Sequence, residues 1–411
     1  MPDKTTLIIF EDAKADRFYP IAVSHPVFDL LNGCFNPVER FQRLFKPAQI
    51  ILVCREYLAE SAQERHKYVI NEIKINGGQA ILINAAIRPD PKFIKEIMAA
   101  KRDKLFYNGD CLLGGKLSVE SAKKYIREIL DLPANPAIFG DGSIRAESKS
   151  QTYNYLWDLI NDNCKMIETD CSLLAKGKNW TISAKGKAKE GIYIHKSAHL
   201  AKGAHIDDTL GPVIVDEEAF IEARSVIQGP SYIGKGSRLM GGIIREGCSL
   251  GPVCKVGGEL EESIILGYSN KCHEGFIGHS YIGEWVNLGA LSTNSDLKNN
   301  YSPVRVTHKG KEINTNSLKI GSFIGDHTKT GIGTLFNTGI VIGFCCNLYG
   351  GMLFQQKEIP HFSWGTPDSL VGFKLEKAIQ IAETAMARRG QVFTEAQRAL
   401  FVKIKQSGQV N

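Results

Sequence analysis

The sequence predicts a chain of two main parts, an α/β domain followed by a parallel β-helix, with a helical segment at the C-terminal end. Three observations lead to this fold class. Short apolar runs alternate with helical patterns over the first 130 residues, small apolar residues recur every six positions from Ile194 to Tyr349, and two amphipathic patterns follow. A chain of 411 residues, 43% apolar and 23% charged, is long enough for two or three such domains.

The first domain is predicted from short apolar runs separated by helical patterns. Strands are predicted at Thr5–Phe10, Ile50–Cys54, Ala80–Ile83 and Leu105–Tyr107, and helices at Pro37–Phe45, Glu56–Arg65 and Val119–Leu130. This alternation predicts a parallel sheet covered by helices, with ligands at the carboxyl ends of its strands. We place this domain at residues 1–182 and a polar, lysine-containing linker at residues 183–189.

The six-residue repeat fits neither an α-helix nor the two-residue alternation of a long strand. It is typical of a β-helix in which three flat segments make one coil and each segment contributes one inward apolar side chain. The alternative is a β-rich domain with accidental spacing. We place the β-helix at residues 190–358 and the helical segment at residues 359–411. The predicted inward residues are Ile194, Leu200, Ile206, Val215, Ile221, Ile227, Ile233, Leu239, Ile244, Leu250, Val256, Ile264, Phe276, Ile282, Leu288, Ile324, Phe336, Ile342 and Leu348.

Charge and cysteine usage narrow the class of function. The net charge of +6 is spread along the chain without a basic block, which favours small anionic substrates and argues against nucleic acid. The ten cysteines include no CxxC pair, which favours a reducing cytoplasm. No apolar stretch has the length of a signal peptide or a membrane span, so we expect a cytoplasmic protein without membrane contact.

The first strand and helix resemble those of the sugar-1-phosphate nucleotidyltransferases. The segment Phe106–Asp110 is similar to their strand that ends in an Asn-Gly-Asp turn, and Tyr153–Asp158 resembles a segment of a shortened branch with a hexapeptide tail. The resemblance implies a Rossmann-like nucleotidyltransferase domain in which Asp110 holds a catalytic Mg²⁺ and Arg17 lies near the nucleotide phosphates. The signature positions within Leu7–Phe45 are Arg17, Pro20, Pro26, Gly33 and Glu39.

Two departures from that family concern the phosphate loop. The glycine-rich loop of the family is here Glu11–Asp16, with three acids and no glycine, and the lysine before the helix is replaced by Val27. A phosphate cradle needs close backbone approach and a positive field. Structural roles therefore stay open as alternatives, with Asp110 as a turn residue after a strand and Arg17 as a surface arginine.

The run His273–Ala290 resembles, without a gap, the catalytic coil of the acetyltransferase half of the bifunctional N-acetylglucosamine-1-phosphate uridyltransferase/glucosamine-1-phosphate acetyltransferase family. Hexapeptide β-helices are left-handed, against the usual crossover rule, so the predicted hand comes from this resemblance. The resemblance implies that His273 takes a proton from an acceptor amine or hydroxyl as it attacks the thioester of acetyl-CoA. It also implies acceptor contacts from Asn287, Asn294 and Lys298, and acyl-CoA contacts from Gly289 and Ala290.

Two replacements on this coil change the expected acceptor. The family's phosphate-binding lysine is Glu261 here, and its tyrosine three residues after the histidine is Phe276. A carboxylate repels phosphate, which makes a different sugar or a nucleotide sugar an alternative acceptor. Arg245 lies near a family arginine and is predicted to supply part of the missing positive charge.

His273 and His279 also allow a zinc site between subunits, or simply solvated imidazoles. Their six-residue separation places them on adjacent faces of one coil, pointing apart. No histidine between His205 and His273 could add a ligand from an earlier coil. The metal interpretation is therefore disfavoured.

The segment Ser292–Ser317 interrupts the repeat and is rich in Asn, Thr and Lys. Excursions of this length are usually functional, and the resemblance implies that this one reaches a neighbouring subunit and helps to close the acceptor site. A surface excursion without a role is the alternative. Flat, exposed flanks predict a homotrimer with clefts between its subunits.

The sequence thus predicts a transferase of sugar-nucleotide biosynthesis. It would transfer a nucleotidyl group from a nucleoside triphosphate to a sugar 1-phosphate, with Mg²⁺, and an acetyl group from acetyl-CoA to a sugar amine or hydroxyl. The alternative is a non-catalytic regulatory or scaffold subunit with a degenerate nucleotidyltransferase domain, which the altered loop Glu11–Asp16 favours.

Overall fold

A computed structural model describes residues 5–75, 78–135, 139–140, 142–174, 179–183 and 191–408. The chain forms two compact units: the first contains residues 1–18, 25–30 and 36–155, and the second contains residues 19–24, 31–35 and 156–411. Apart from Ser183, the predicted linker lies outside the described residues. The predicted domain boundaries stay a prediction.

The first unit is built on a seven-stranded sheet with strand order β3-β2-β1-β4-β6-β5-β7. Its core contains buried aliphatic side chains from β1, β2 and β4 together with residues of α4 and α5. The strands are β1 Thr5–Phe10, β2 Gln49–Val53, β3 Val69–Ile70, β4 Gln79–Asn84, β5 Lys104–Asn108, β6 Cys111–Ser118 and β7 Arg145–Glu147. The helices are α1 Pro37–Phe45, α2 Ala59–Arg65, α3 Pro91–Ala99, α4 Val119–Lys124 and α5 Ile126–Asp131, with 3₁₀ turns at Ala15–Phe18, Ile21–Val23, Val27–Asp29 and Glu56–Leu58, of which Ile21–Val23 belongs to the second unit.

The prediction that the sheet is parallel is wrong at strand β6. This strand runs antiparallel to both β4 and β5, so the sheet is mixed. Only Gly109 and Asp110 separate β5 from β6, and Gly109 has φ +54°. A two-residue connection permits only an antiparallel hairpin, because a parallel neighbour needs a long crossover. The Asn-Gly-Asp turn is therefore a hairpin tip.

Helix α1 begins and ends where its sequence signals predict. The Asn36 side chain accepts a hydrogen bond from the Glu39 amide, the Glu39 carboxylate accepts one from the Asn36 amide, and Pro37 is the first helical residue. Together these contacts satisfy amides that a helix start leaves unpaired. Lys46, at φ +46°, ends the helix in the left-handed conformation.

The second unit is a parallel β-helix preceded by α6, Leu156–Leu174. One face carries Trp180–Ser183, Ile192–His195, Val213–Val215, Ser231–Ile233, Cys248–Leu250, Ile264–Gly267, Tyr281–Glu284, Ser322–Ile324, Ile340–Ile342 and Glu358–Ile359. The second face carries His199–Leu200, Phe220–Ile221, Arg238–Leu239, Lys255–Val256, Asn270–Lys271, Lys329–Thr330, Asn347–Leu348, Ser363–Thr366 and Ser369–Gly372. The third face carries His205–Asp207, Val226–Gln228, Ile243–Ile244, Glu259–Glu261, Phe276–Gly278, Thr293–Asn294, Leu335–Phe336 and Leu353–Phe354.

The repeat register agrees with the prediction except in one coil. Ile233 pairs with Leu250, one coil later on the same face, and both side chains are fully buried. In the later coil the inward side chains are Ile265 and Ile277, which belong to the central apolar cluster, whereas Ile264 and Phe276 were predicted. A shift of one residue moves a side chain to the opposite face of its strand, so Phe276 faces outward.

Two helices complete the second unit, as predicted: α7 Leu375–Ala387 and α8 Glu395–Ser407. Phe401 of α8 packs edge-on against Phe344, with ring centroids 4.8 Å apart. The antiparallel strand Ser369–Gly372 pairs with the last strand of its face and covers that edge. The predicted fold class, an α/β domain plus a left-handed β-helix with terminal helices, is confirmed. Among the described residues, none of the helices combines the length and the apolar character that crossing a bilayer requires.

Candidate functional site

The first unit has a polar cavity of about 320 Å³ beyond the carboxyl end of β1. Asp12 is the second residue after β1, and its Oδ2 accepts a hydrogen bond of 2.9 Å from the Asn84 side chain at the end of β4. Neighbouring strand ends therefore bring these two groups together, as the sheet topology requires. The cavity is lined by Lys14, Asn108, Cys111, Leu113, Gln151, Thr152 and Asn154.

The acidic loop after β1 is closed by a buried ion pair. Glu11 is fully buried, and its two oxygens accept hydrogen bonds of 2.8 and 3.1 Å from the Arg55 guanidinium. The same carboxylate accepts the amide of Val27 at 2.9 Å and the amide of Arg55 at 2.7 Å. The bidentate contact between Glu11 and Arg55 therefore holds the loop in one conformation. Its neighbour Lys14 supplies a cation to the cavity wall.

Arg17 lies in the same unit, where its Nη1 donates to the Asn154 Oδ1 at 3.0 Å. Because Asn154 lines the cavity, Arg17 borders this cavity, and its predicted contact with phosphates stays a prediction. Asp110 lies exposed at the β5–β6 hairpin tip, between the lining residues Asn108 and Cys111. Asp110 and Asp12 offer the hard oxygen atoms that Mg²⁺ prefers, and Mg²⁺ sites commonly use one or two carboxylates with substrate phosphates.

Sequence reasoning missed Asp12, whose Oδ2 lies 3.7 Å from the Sγ of the lining residue Cys111, and its hydrogen-bond partner Asn84. Their position in the sequence could have identified them, because each residue lies at or just past the end of a buried parallel strand. Residues there converge at one edge of a sheet. The acid-rich character of the loop concealed this, because Glu11 and Asp12 were considered as one acidic run.

On the β-helix, His273 is exposed at the corner between Asn270–Lys271 and Phe276–Gly278. The outward ring of Phe276 follows on the next face. A histidine at such a corner can reach a ligand that lies along either adjoining face. His273 is therefore accessible to solvent, and its role as a base stays a prediction.

The second face and helix α7 enclose a cavity of about 640 Å³ beside this corner. Cys272, the neighbour of His273, and the predicted acceptor contact Asn287 both line it. Among the lining residues that the structure describes, four are cationic and none carries a carboxylate. The lining comprises Met240, Lys255, Tyr268, Asn270, Cys272, Trp285, Val286, Asn287, Lys329, Gln380, Ile381, Thr384, Ala385, Arg388 and Arg389.

Two features of this cavity favour an anionic ligand with a planar part. Lys329 donates to the Trp285 carbonyl, and although burial lowers the pKa of its amine to about 8, the amine is mostly protonated near pH 7 and adds positive charge to the wall. Tyr268 stacks on Trp285 with ring centroids 4.5 Å apart, which gives the wall a rigid aromatic surface. Asn270 and Asn287, joined by a hydrogen bond of 2.7 Å, lie between Lys255 and Lys329 along the face.

The third face carries a charge-balanced network around Glu261. Lys319 donates to the Glu261 carboxylate at 2.8 Å, and Arg245 pairs closely with Glu259. Hydrogen bonding to Glu259 raises the pKa of Arg245. The predicted acceptor contact Arg245 is thus half-exposed but already paired. Lys319, which sequence reasoning missed, restores a cation beside the position where the family has lysine.

His279 lies at the far corner of the same face and is buried between two carboxylates. Its Nδ1 lies 2.8 Å from Asp296 and its Nε2 lies 3.3 Å from Glu262. Burial alone would lower the pKa of His279, but the hydrogen bonds to Asp296 and Glu262 outweigh it and raise the pKa to about 9. Ligand atoms of Glu261, His279 and Asp296 lie within 4.8 Å of one another. Because His279 is protonated at neutral pH and Lys319 pairs with Glu261, we interpret this cluster as an ion-pair network.

The other predicted ligand contacts lie in the backbone of the next coil and in the excursion. The Asn294 side chain is buried and accepts the Gly278 amide at 2.9 Å, a contact that supports the coil. The Gly289 amide donates to the Thr330 hydroxyl at 3.0 Å, and the Ala290 carbonyl accepts a hydrogen bond from the next coil. The Lys298 amine donates to the Pro303 carbonyl at 2.9 Å. The binding roles of these four residues stay predictions.

The excursion folds as an antiparallel hairpin of Arg305–His308 and Lys311–Asn314. The amides of Lys309 and Gly310, at the hairpin tip, donate to the Glu358 carboxylate at 3.1 and 2.8 Å. The hairpin is therefore anchored to a late coil of its own β-helix. Its predicted reach to a neighbouring subunit stays a prediction.

Residues 7–179 match the family described as sugar nucleotidyl transferase. A bifunctional sugar-1-phosphate nucleotidylyltransferase/acetyltransferase of Sulfurisphaera tokodaii is 33% identical over 199 residues, which cover 47% of this chain and 48% of that protein. The bifunctional protein GlmU of Methanococcus maripaludis strain C7 is 38% identical over 85 residues, 21% of this chain and 20% of that protein. The chain thus spans about half the length, or less, of the curated relatives it matches.

Among solved structures, a UDP-N-acetylglucosamine acyltransferase of Francisella novicida shares 14% identity with a TM-score of 0.22, covering 53% of this chain and 78% of that one. The fold assignment rests on the coordinates described above. The resemblance to sugar nucleotidyl transferases and to bifunctional nucleotidylyltransferase/acetyltransferases is confirmed by sequence similarity.

Proposed function

We propose, from the similarity of residues 7–179 to the sugar nucleotidyl transferases, that the chain is a transferase of sugar-nucleotide biosynthesis with two activities. The first unit would transfer a nucleotidyl group from a nucleoside triphosphate to a sugar 1-phosphate. The β-helix would transfer an acetyl group from acetyl-CoA to a sugar amine or hydroxyl. The names of the similar bifunctional proteins support both halves of this proposal.

One observation carries the acyl transfer. His273 lies exposed beside a cavity of about 640 Å³ whose described lining residues include four cations and no carboxylate. Such a cavity suits the phosphate groups of acetyl-CoA, since each ammonium or guanidinium on the wall attracts an anion. His273 would then accept the proton of the acceptor amine or hydroxyl as it attacks the thioester carbon, with CoA thiolate as the leaving group.

Nucleotidyl transfer would use the cavity at the end of β1. Lys14 and Arg17 would face the triphosphate, while Asp110, with Asp12, would hold Mg²⁺ that neutralises the phosphate charge. The sugar phosphate oxygen would attack the α-phosphorus and release pyrophosphate. In this arrangement the Glu11–Arg55 pair fixes the loop instead of contacting the nucleotide.

The assembly and location follow the same reasoning. A homotrimer would bring the exposed faces of the β-helices together, and a cytoplasmic location suits both co-substrates and the absence of CxxC pairs. Light scattering on the purified chain should give three times the 45.4 kDa chain mass. A mass of 45.4 kDa would contradict the trimer.

The test measures both reactions on one preparation. With acetyl-CoA and a panel of amino-sugar 1-phosphates and nucleotide sugars, the chain should release free CoA thiol. The His273→Asn variant should lose this activity by about 10²–10⁴-fold, the usual contribution of a general base. With nucleoside triphosphate, sugar 1-phosphate and Mg²⁺, the wild-type chain should release pyrophosphate. The Asp110→Asn variant should release it more slowly. No thiol release with any acceptor would contradict the acyl transfer.

A second candidate is favoured by the Glu11–Arg55 contact. If that closed loop excludes the triphosphate, the first unit would be a non-catalytic partner of an active β-helix. The same experiment separates the two, because this alternative retains CoA release and shows neither pyrophosphate release nor nucleotide binding by calorimetry.

A further inference from the structure

Lys271 places an amine inside the β-helix. Its side chain is only 2% exposed, and its backbone pairs with Val256 at the inward position of the second face. The coil before Val256 carries Leu239 at this position, and Leu288 follows one coil after Lys271. An ammonium among such neighbours loses its hydration, which is unfavourable unless its donors find acceptors. Packing alone therefore gives no reason for a lysine here.

The contacts of the amine identify what it holds. The Lys271 Nζ donates to the carbonyl oxygen of His273, and a second carbonyl, that of Gly257, lies 3.3 Å away. Burial lowers the pKa of the Lys271 amine to about 8, and either protonation state keeps N–H groups for donation. One contact thus reaches the corner Cys272–Gly275, and the other reaches the preceding coil. The amine ties the two coils together directly behind the exposed imidazole.

We propose that Lys271 is a positioning residue for His273, an inference that rests on the proposed role of His273 as the base. The His273 carbonyl and imidazole share one Cα atom, so holding the carbonyl from inside the coil restricts rotation of the backbone that carries the ring. Gly275, at φ +124°, gives this corner a conformation that few side chains tolerate and that offers little stiffness of its own. An error of about 1 Å in the position of a catalytic group can lower a rate about a hundredfold.

The decisive variant is Lys271→Met, which fills nearly the same volume without a donor. We expect its melting temperature to be equal to or higher than that of the wild type, because an apolar side chain suits this column. We also expect faster amide hydrogen exchange in a peptide covering 272–276. The kcat for acetyl transfer should fall about ten- to a hundredfold while the KM for acetyl-CoA stays unchanged. A merely structural lysine would lower stability and activity together.

Leu288→Met is the matched control. It changes a side chain at the same inward position, one coil later, and leucine has no hydrogen-bond donor to lose. The Leu288→Met variant should have the same rate of amide hydrogen exchange at 272–276, and the same kcat for acetyl transfer, as the wild type. Equal effects of the two substitutions would overturn the proposal, because they would then report packing of the column.

Hydrogen exchange separates failure of this proposal from failure of the proposed function. Unchanged exchange at 272–276 in a folded Lys271→Met chain overturns the positioning role whether or not the chain transfers acetyl groups. Absence of thiol release by the wild type contradicts the acyl transfer instead. If Lys271→Met does not fold, acetic anhydride labelling of the wild type decides: Lys271 should stay unmodified while exposed Lys202 reacts, and equal labelling overturns the proposal.

Discussion

His279 makes the stability of the β-helix unit depend on pH, and the structure gives the size of the effect. The imidazole is 5% exposed between Asp296 and Glu262, and its pKa is raised from 6.5 to about 9. A shift of about 2.5 pKa units corresponds to about 3 kcal/mol at 1.36 kcal/mol per unit. Because the folded-state pKa is raised, this stabilisation is fully present below pH 6.5 and is lost as pH rises through about 9.

The assay can follow this unit alone. All four tryptophans of the chain, Trp157, Trp180, Trp285 and Trp364, belong to the second unit, so their fluorescence reports its unfolding. Urea unfolding of the wild type and of His279→Asn should be compared at pH 6, 7.5 and 9.5. Asparagine suits the variant because His279 has φ +47°, a conformation that asparagine adopts readily.

We expect the free energy of unfolding of the wild type to exceed that of His279→Asn by about 3 kcal/mol at pH 6. At pH 9.5 the difference between the two free energies should be close to zero. Asp296→Asn removes the nearer carboxylate, so it should reduce the pH dependence of the wild type without abolishing it. A difference between wild type and His279→Asn that stays constant from pH 6 to 9.5 would refute the reasoning, because the stabilisation would then not come from an imidazolium.

Three further predictions concern the other charged groups. Arg55→Met should destabilise the first unit by about 3–5 kcal/mol, because it leaves the buried Glu11 carboxylate uncompensated; slower-than-wild-type exchange in β1 would contradict this. Lys329→Met should weaken acetyl-CoA binding about tenfold by calorimetry, and wild-type affinity should fall as pH rises through about 8, where the Lys329 amine loses its charge; affinity that is flat from pH 7 to 9 would argue against this contact. Glu261→Lys should lower the KM for an amino-sugar 1-phosphate, because it adds a cation beside Lys319; a raised KM would indicate an uncharged acceptor.

Local signals were sufficient for the elements and the repeat. Helix α1 was predicted at Pro37–Phe45 from the proline at its first turn, and the capping box of Asn36 and Glu39 that stabilises its start also lies within one turn. The β-helix was predicted because each coil requires three inward apolar side chains. Since the coils are stacked, the same requirement recurs in every coil and appears as a periodic pattern in the sequence.

The sequence by itself thus determined the fold class, the coil repeat and the resemblance to sugar nucleotidyl transferases, because these depend on patterns within short stretches of chain. Only the tertiary structure decided that β6 is antiparallel, that Glu11 meets Arg55 and that Lys319 reaches Glu261. The partners in the two ion pairs lie 44 and 58 residues apart. Contacts between residues so far apart in the sequence depend on how the whole chain folds, and the spacing of residues does not predict them.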